Sequence, residues 1–347
     1  MSPGAEPAQD IATQIDAAAT VADLSRAGRR IDEMIIALQA SGIRIERIAQ
    51  RVSQLNAALF SRLWSLTAPP DLVANSCLLV MGSEGRGEQI LKTDQDNALL
   101  LRDGFDCADL EEVARRFSAA LSDFGYPPCA GNIMLTNPLW RQSLSGFKDN
   151  LRIWLYGRGD DADAQGPMRL AIFLDAAPVA GDATLLQALH AYLRSILAGQ
   201  EIYLARFAAA ADQFHDTGHW WTRFTAHRDE QTLDLKKLGI FPIVHGARAL
   251  ALEYDVSALG TVQRLAALVE QGHMEWALAR DLSEALHLLM ALRLQQQLQQ
   301  RAGGMAANNL LRPAELSALE RETLQAALGV VKTFRAFLRL HFRFDLL

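Results

Sequence analysis

The chain has 347 residues, of which 50% are hydrophobic and 21% are charged, and its formal net charge at pH 7 is −6. A chain of this length can bury a core without disulfides or a structural metal, and its acidic balance argues against a dedicated nucleic-acid-binding protein. Its three cysteines form no C-x-x-C pair, which argues against a disulfide framework and against a cysteine-based zinc site.

The N-terminal sequence lacks the basic start and the apolar run of a signal peptide. No apolar stretch approaches the roughly 20 residues that span a bilayer. We therefore expect a cytoplasmic protein that has no membrane partner.

In the N-terminal segment, 1–68, the first ten residues are expected to be loose and helical periodicity dominates 11–64. Apolar residues recur at three- and four-residue steps from Ile31 to Leu38 and again after Ile45, which is the spacing of one helix face. Ser41-Gly42 predicts a break between two helices. The sequence thus predicts an N-terminal helical segment, which two consecutive prolines end at residues 69 and 70 because proline lacks an amide hydrogen.

From residue 69 to residue 181 the pattern changes to strands that alternate with helices. The predicted strands are 77–81, 96–101 and 169–175. An amphipathic helix is expected over 109–124, between the second and third strands. This alternation predicts an α/β or α+β domain with a sheet flanked by helices.

The remainder of the chain, 182–347, is predicted to be an all-α domain. Residues 275–300 are leucine-rich and free of proline and glycine, and a last helix is expected over 314–342. The leucine pattern within 282–298 has a broad apolar face, which favours core packing over a coiled-coil seam.

The segment between the first two predicted strands carries the residues best suited to chemistry. Gly82 and Ser83 follow the first strand, and glycine in such a turn allows backbone amides to approach a polyphosphate closely. Arg86 and Lys92 add positive charge that suits a triphosphate.

Asp94 and Asp96 lie two residues apart, so that in an extended segment both carboxylates share one face. Without a counter-cation the two would repel each other. Mg²⁺ relieves this repulsion by binding carboxylate oxygens together with substrate phosphates, and two such ions can assist both the attacking and the leaving oxygen. A D-x-D pair is weak evidence by itself, because paired acids also lie on solvated loops and at helix caps.

Asp175 ends the third predicted strand. If that strand lies beside the one that follows Asp96, a third carboxylate enters the same site. It would then bind a metal next to the acceptor or take the proton of the acceptor.

The layout from Gly82-Ser83 to Asp94-x-Asp96 resembles the DNA-polymerase-β-like nucleotidyltransferase superfamily. More narrowly, the run from Gly82 to Ala98 resembles a bacterial group of nucleotidyltransferases, often fused to CBS or cyclic-nucleotide-binding domains. This group is related to the N-terminal domain of PII-protein uridylyltransferase. Further similar segments are 137–141, 172–181, 234–243 and 248–253.

The resemblance implies a polymerase-β-like mixed sheet in a catalytic domain, 69–181, and a helical substrate- or nucleotide-binding domain, 182–347. It implies transfer of a nucleoside monophosphate from a nucleoside triphosphate to an acceptor hydroxyl, with two Mg²⁺ or Mn²⁺ ions held by the three aspartates. Thr93 would join the nucleotide site, and Lys236 and Lys237 would reach the triphosphate from the helical domain. UTP as donor and a PII-like regulatory protein as acceptor rest on the resemblance alone.

Four alternatives stay open at this point. A non-catalytic module would bind nucleotide and signal to a partner, whereas a helical scaffold with a vestigial α/β core would bind none. His215, His219 and His227 suggest a separate metal site, although Gly218 and the tryptophan pair after it favour a packed turn. Arg141 would contact either substrate or neighbouring helices.

Overall fold

The computed structural model describes residues 5–157, 165–212 and 232–347, and the chain divides into two compact units, Met1–Ala198 and Gly199–Leu347. The first unit contains a four-stranded mixed sheet surrounded by helices, and the described residues of the second are mainly helical with one short strand pair. This architecture confirms the predicted α+β class with a mixed sheet flanked by helices.

Three helices form the N-terminal segment: α1 (Ala5–Ala17), α2 (Val21–Ala40) and α3 (Ile45–Thr67). A capping box starts α2, because the Thr20 hydroxyl accepts from the Asp23 amide and the Asp23 carboxylate accepts from the Thr20 amide. Gly42, with φ +67°, makes the turn after α2 in the left-handed region that glycine tolerates. The predicted helical segment and its break are therefore confirmed.

The sheet has the strand order β3-β2-β1-β4. Its strands are β1 (Ser76–Val80), β2 (Asn97–Leu101), β3 (Arg141–Ser143) and β4 (Ala177–Gly181). Strand β1 is antiparallel to both of its neighbours, and β2 pairs in parallel with β3. All residues of β1 and β2 are buried, which explains why both read as continuous apolar runs.

The other helices of the first unit precede, connect or follow these strands. They are α4 (Pro70–Ala74), the short α5 (Gly82–Gly85), α6 (Leu110–Asp123), α7 (Leu144–Tyr156), α8 (Gly166–Phe173) and α9 (Thr184–Leu197). Helix α6 confirms the predicted helix at 109–124, and its apolar face contacts α3 through the edge-to-face pair of Trp64 and Phe117.

The predicted strand at 169–175 is wrong, because most of this segment belongs to α8 and β4 begins only at Ala177. Pro167 suits the first turn of a helix, where its missing amide hydrogen is not needed. The buried residues Leu170 and Phe173 lie three apart, which is a helical spacing. A short apolar run fits helix and strand equally from sequence. Asp175 consequently lies in the turn between α8 and β4.

One edge of the sheet gathers three chain segments. Val80, at the end of β1, pairs with Asn97 at the start of β2 and with Ala177 at the start of β4. The residues that follow β1 and those that precede β2 and β4 therefore meet at this edge.

The second unit is built mainly from α10 (Glu201–Ala209), a π-helical turn (Lys236–Ile240), α11 (Phe241–Glu253), α12 (Thr261–Glu270), α13 (Trp276–Ala302) and α14 (Ala318–His341). Strands β5 (Leu233–Asp234) and β6 (Leu310–Leu311) pair antiparallel. Helices α13 and α14 confirm the two long helices predicted at 275–300 and 314–342.

Among the described residues, no helix combines the length and the apolar character that a bilayer crossing needs. The histidines at 215, 219 and 227, considered above as a separate metal site, lie outside the described residues.

Two glycines of the second unit test how tightly its helices pack. A methyl group on Gly246 of α11 would come within 2.5 Å of Phe334 and Leu338 in α14, whereas Gly329 of α14 faces open space. Both alanine substitutions gain roughly 1 kcal/mol of helix propensity, but overpacking costs about 1–3 kcal/mol. In urea unfolding we expect Gly329→Ala to raise the transition midpoint and Gly246→Ala to lower it. Equal midpoints would contradict this packing.

Candidate active site

Residues 81–96 connect β1 to β2 at the shared edge of the sheet. The segment starts with the short helix α5, which is the predicted glycine-serine turn, and ends in extended backbone. The Met81 amide donates to the Asp96 carbonyl at 2.9 Å, which continues the hydrogen-bond ladder of β1 and β2 one step further. Both ends of the segment are therefore held at the sheet.

Side chains alternate along the extended part of the segment. Gln95 is buried, and its amide donates to the carbonyls of Ser118 and Tyr126 at 3.0 and 2.8 Å. Asp94 is exposed and Asp96 is half-buried. Since neighbouring residues in extended backbone face opposite ways, anchoring Gln95 in the core turns both aspartates toward the other side. Their carboxylates converge to within 4.8 Å, as the D-x-D spacing predicts.

Gly82 lies directly against this carboxylate pair. It has φ +58°, and a Cβ atom built on it would come 2.7 Å from the Oδ2 atom of Asp96. A side chain at this position would therefore be strained and would fill the space beside the carboxylate. The neighbouring Ser83 is half-buried, and its hydroxyl donates to Oε1 of Gln89 at 2.9 Å.

The structure does not bring Asp175 into the carboxylate cluster. Among the described residues, the ligand atoms that converge within 4.8 Å belong to Asp94, Asp96 and Cys129. Strand β1 separates β2 from β4, so the starts of those two strands lie two strand spacings apart, or roughly 10 Å. The described structure thus groups two of the three aspartates, and a role of Asp175 as a third metal ligand stays a prediction.

Arg86 is the partner of the fully buried Asp175. Its Nη1 atom donates to Oδ2 of Asp175 at 2.6 Å, and its Nε atom donates to Glu88 at 2.7 Å. The guanidinium side chain is only 10% exposed. Arg86 thus lies at the same edge as the candidate site, with its charge matched by two carboxylates.

Lys92 is directed away from the carboxylate pair and toward helix α2. Its ammonium group donates to the Gly28 carbonyl at 2.8 Å and to Asp32 at 2.7 Å, and its side chain is 5% exposed. This contact ties the connecting segment to the N-terminal helices. The observed contacts of Lys92 support the segment, and its expected contact with the triphosphate stays a prediction.

A buried polar network that the sequence did not indicate supports α5 from behind. Asn56 of α3 donates to Oε2 of Glu84 at 3.1 Å, and the Tyr126 hydroxyl donates to Oδ1 of Asn56 at 2.8 Å. Burial raises the pKa of Glu84 to about 8, although the Asn56 hydrogen bond opposes the shift. Glu84 is therefore a neutral acid at pH 7. In the sequence, only its position within the glycine-serine turn indicates that it lies near the site.

A small cavity lies between this network and the aspartates. Its volume is about 20 Å³, and Glu84, Gln89, Asp94 and Asp96 contribute to its lining. That volume suffices for a water molecule and is far too small for a nucleotide. A nucleotide would have to approach from the solvent side, where Asp94 is exposed.

The donor set fits a divalent cation. Two carboxylates beside a glycine, which has no side chain to cover them, provide the oxygen ligands that Mg²⁺ prefers. The sequence does not indicate that Cys129 lies beside the aspartates, because this proximity depends on chain segments that meet only in the fold.

The other predicted nucleotide contacts lie in different places. Thr93 is half-buried and directly precedes Asp94. Lys236 and Lys237 are exposed at the π-helical turn of the second unit, where Nζ of Lys237 lies 3.8 Å from Asp234. Their contact with a triphosphate stays a prediction.

Two family models match the chain. Residues 29–161 match the family described as "Putative nucleotidyltransferase DUF294", and residues 201–342 match the one described as "Putative nucleotidyltransferase substrate binding domain". The first match begins within α2 and includes every residue of the carboxylate cluster. A search of the curated proteins gave no match.

Glu84→Gln tests the buried acid, because it keeps the size of the side chain and removes its titration. The folded carboxyl has a pKa of about 8 and the unfolded one a pKa near 4.5, so the unfolded chain loses the proton first and wild-type stability falls as the pH rises between these values. We expect the melting temperature of the variant to exceed that of wild type most near pH 8 and least near pH 4.5. The exposed Glu111→Gln is the control, and a pH-independent difference for Glu84→Gln would contradict the assignment.

Proposed function

The chain belongs to the nucleotidyltransferase family whose models match it, and we propose that its first unit moves a nucleoside monophosphate from a nucleoside triphosphate to an acceptor hydroxyl. The observation that carries the proposal is the convergence of Asp94 and Asp96 beside Gly82. Two carboxylates this close repel each other unless a cation or a proton is shared between them. A cation that also binds substrate phosphates relieves this repulsion when the triphosphate arrives.

The two aspartates would have different roles in holding the ion. Asp96 is half-buried, and its carbonyl is fixed by the Met81 amide, so it would provide the rigid ligand. Asp94 is exposed and would bind from the solvent side, where the substrate enters. When bound, Mg²⁺ or Mn²⁺ supplies charge neutralisation at the phosphates and lowers the pKa of the attacking hydroxyl.

The backbone at Gly82 and Ser83 would lie along the triphosphate, since the glycine presents no side chain to obstruct it. The acceptor oxygen would attack the α-phosphorus in line as pyrophosphate leaves on the opposite side. Thr93 would border this space. Positioning and electrostatic stabilisation would account for most of the rate gain.

Asp175 would act as a positioning residue for Arg86 rather than as a metal ligand. Its buried carboxylate holds the guanidinium at the edge of the sheet where α5 begins. From there the N–H groups of Arg86 that are not bound to Glu88 or Asp175 would donate to phosphate oxygens.

The proposal also includes the identity of the donor and of the acceptor. UMP transfer from UTP, and a PII-like regulatory protein as acceptor, are supported by the family resemblance. Contacts from Lys236 and Lys237 to the triphosphate would come from the unit that matches the substrate-binding model.

A second candidate function is nucleotide binding without transfer, in a module that signals to a partner. One observation favours it: Asp175 is paired with Arg86 and does not join the other two aspartates. A site with two carboxylates can bind Mg²⁺ and a triphosphate. It lacks the third carboxylate that was expected to take the proton of the acceptor hydroxyl. The transfer assay below separates the two candidates.

Asp94→Asn and Asp96→Asn test the metal-ligating pair. Each variant halves the negative charge of the pair while keeping side-chain size, so we expect transfer to fall by about 100-fold or more. The measurement is incorporation of label from each α-labelled nucleoside triphosphate, with Mg²⁺ and a lysate of the source organism as acceptor pool. Asp149→Asn, at an exposed position of α7, is the matched control. Undiminished labelling by the double variant would refute the site, and nucleotide binding without labelling in wild type would favour the sensor.

Asp175→Asn distinguishes a positioning residue from a third metal ligand. We expect the KM for the triphosphate to rise severalfold, because Arg86 loses an ionic partner, while Mn²⁺ affinity stays within about twofold of wild type. Electron paramagnetic resonance of free Mn²⁺ measures that affinity in the absence of nucleotide. Loss of Mn²⁺ binding comparable to that of Asp96→Asn would instead identify Asp175 as a ligand.

A further inference from the structure

Cys129 lies beside Asp94 and Asp96, and the three residues form one cluster of potential metal ligands. Its Sγ atom and one carboxylate oxygen from each of Asp94 and Asp96 all lie within 4.8 Å of one another. The proposed transfer reaction has no use for this thiol, since Mg²⁺ selects oxygen ligands. Its position therefore calls for a separate explanation.

The position of Cys129 is fixed from both sides. The backbone amide of Gln95 donates to the Pro127 carbonyl at 3.0 Å, and the amide of Asn97 donates to the Ile133 carbonyl at 3.0 Å. The Leu135 amide donates to the side chain of Asn97 at 2.9 Å. The segment that carries the cysteine thus runs along the segment that carries the aspartates, and these bonds hold the thiol opposite the carboxylates.

A cysteine binds a metal ion through its thiolate, so occupation of this site displaces the thiol proton. A thiophilic cation would bind as the S–H bond breaks, with the proton passing to solvent and no change of oxidation state.

The ligand types and spacing match a cation of the zinc class. Zn²⁺ accepts thiolate and carboxylate ligands together, at roughly 2.3 Å to sulfur and 2.0–2.2 Å to oxygen, and commonly leaves a fourth position open. Ligand atoms around such an ion are about 3.3–3.7 Å apart, so a separation of at most 4.8 Å requires an inward movement of about 1 Å or less. Asp94, which is exposed, is free of core packing that would resist this movement.

We propose that Asp94, Asp96 and Cys129 form a binding site for a thiophilic divalent cation of the Zn²⁺ class, which competes with Mg²⁺ for the same two carboxylates. Occupation by this cation would block the triphosphate-linked Mg²⁺ and inhibit the enzyme. The inhibition rests on the proposed function, whereas the binding does not.

Cd²⁺ is the probe for binding, because it resembles Zn²⁺ in ligand preference and gives a sulfur-to-metal charge-transfer band. We expect the band on titration of the wild-type chain and of Cys107→Ser, a half-buried cysteine outside the cluster. The band should vanish in Cys129→Ser, with Cd²⁺ affinity lowered by about 100-fold. Added Mg²⁺ should raise the apparent Cd²⁺ dissociation constant of wild type.

Three outcomes would overturn the proposal: no band in wild type, an unchanged band in Cys129→Ser, or Cd²⁺ binding that Mg²⁺ does not weaken. Asp96→Asn provides a second test that leaves the cysteine in place, and it should also weaken Cd²⁺ binding. Thermal unfolding of each variant verifies that a lost band does not reflect a lost fold.

The transfer assay separates this inference from the proposed function. With Mg²⁺ and nucleotide present, Zn²⁺ should inhibit wild type and Cys107→Ser, and Cys129→Ser should require about tenfold more Zn²⁺ or greater. Equal Zn²⁺ sensitivity of active Cys129→Ser and wild type would overturn the inference alone. Cd²⁺ binding at Cys129 in a chain that transfers no nucleotide would overturn the proposed function and leave the cation site standing.

Discussion

The hydrogen bond from the Met81 amide to the Asp96 carbonyl is the constraint on which the candidate site depends. It prolongs the pairing of β1 and β2 past the end of the sheet, so the residue after β1 and the residue before β2 cannot separate. Gly82 is consequently pressed against the Asp96 carboxylate, with no room for a side chain between them. The turn that we propose to lie along the phosphates and the carboxylate that we propose to bind the metal become neighbours through one backbone contact.

Charge is distributed unevenly around this contact. The two cations that the sequence places in the connecting segment are both matched by acids, Arg86 by Glu88 and Asp175 and Lys92 by Asp32. Glu84 stays neutral because burial makes its ionisation costly. The excess negative charge is left at the exposed Asp94 and the half-buried Asp96, where a divalent cation would be attracted.

The N-terminal helices contribute directly to the support of this site. Asp32 and the Gly28 carbonyl of α2 hold Lys92, and Asn56 of α3 holds Glu84. The family match over residues 29–161 begins within α2, consistent with this dependence. These helices form part of one compact unit with the sheet, although their sequence gives no sign of any role beyond helix packing.

The sequence alone determined the elements whose patterns are local and repetitive. The two central strands, the long helices and the alternation of Asp94 and Asp96 all follow from hydrophobic periodicity or from the two-residue repeat of extended backbone. The glycine-serine turn before the D-x-D pair also identified the family, because residue types at fixed spacing are a property of the sequence itself.

Only the tertiary structure decided which distant groups meet. It made 166–173 a helix because Leu170 and Phe173 are buried on one helical face, an outcome that a short apolar run leaves open. It separated Asp175 from the other aspartates by inserting β1 between their strands, and it brought Cys129 beside them. It also gave Arg86 and Lys92 acidic partners from elements far along the chain. Strand order and long-range pairing are set by packing across the whole domain, which no local pattern encodes.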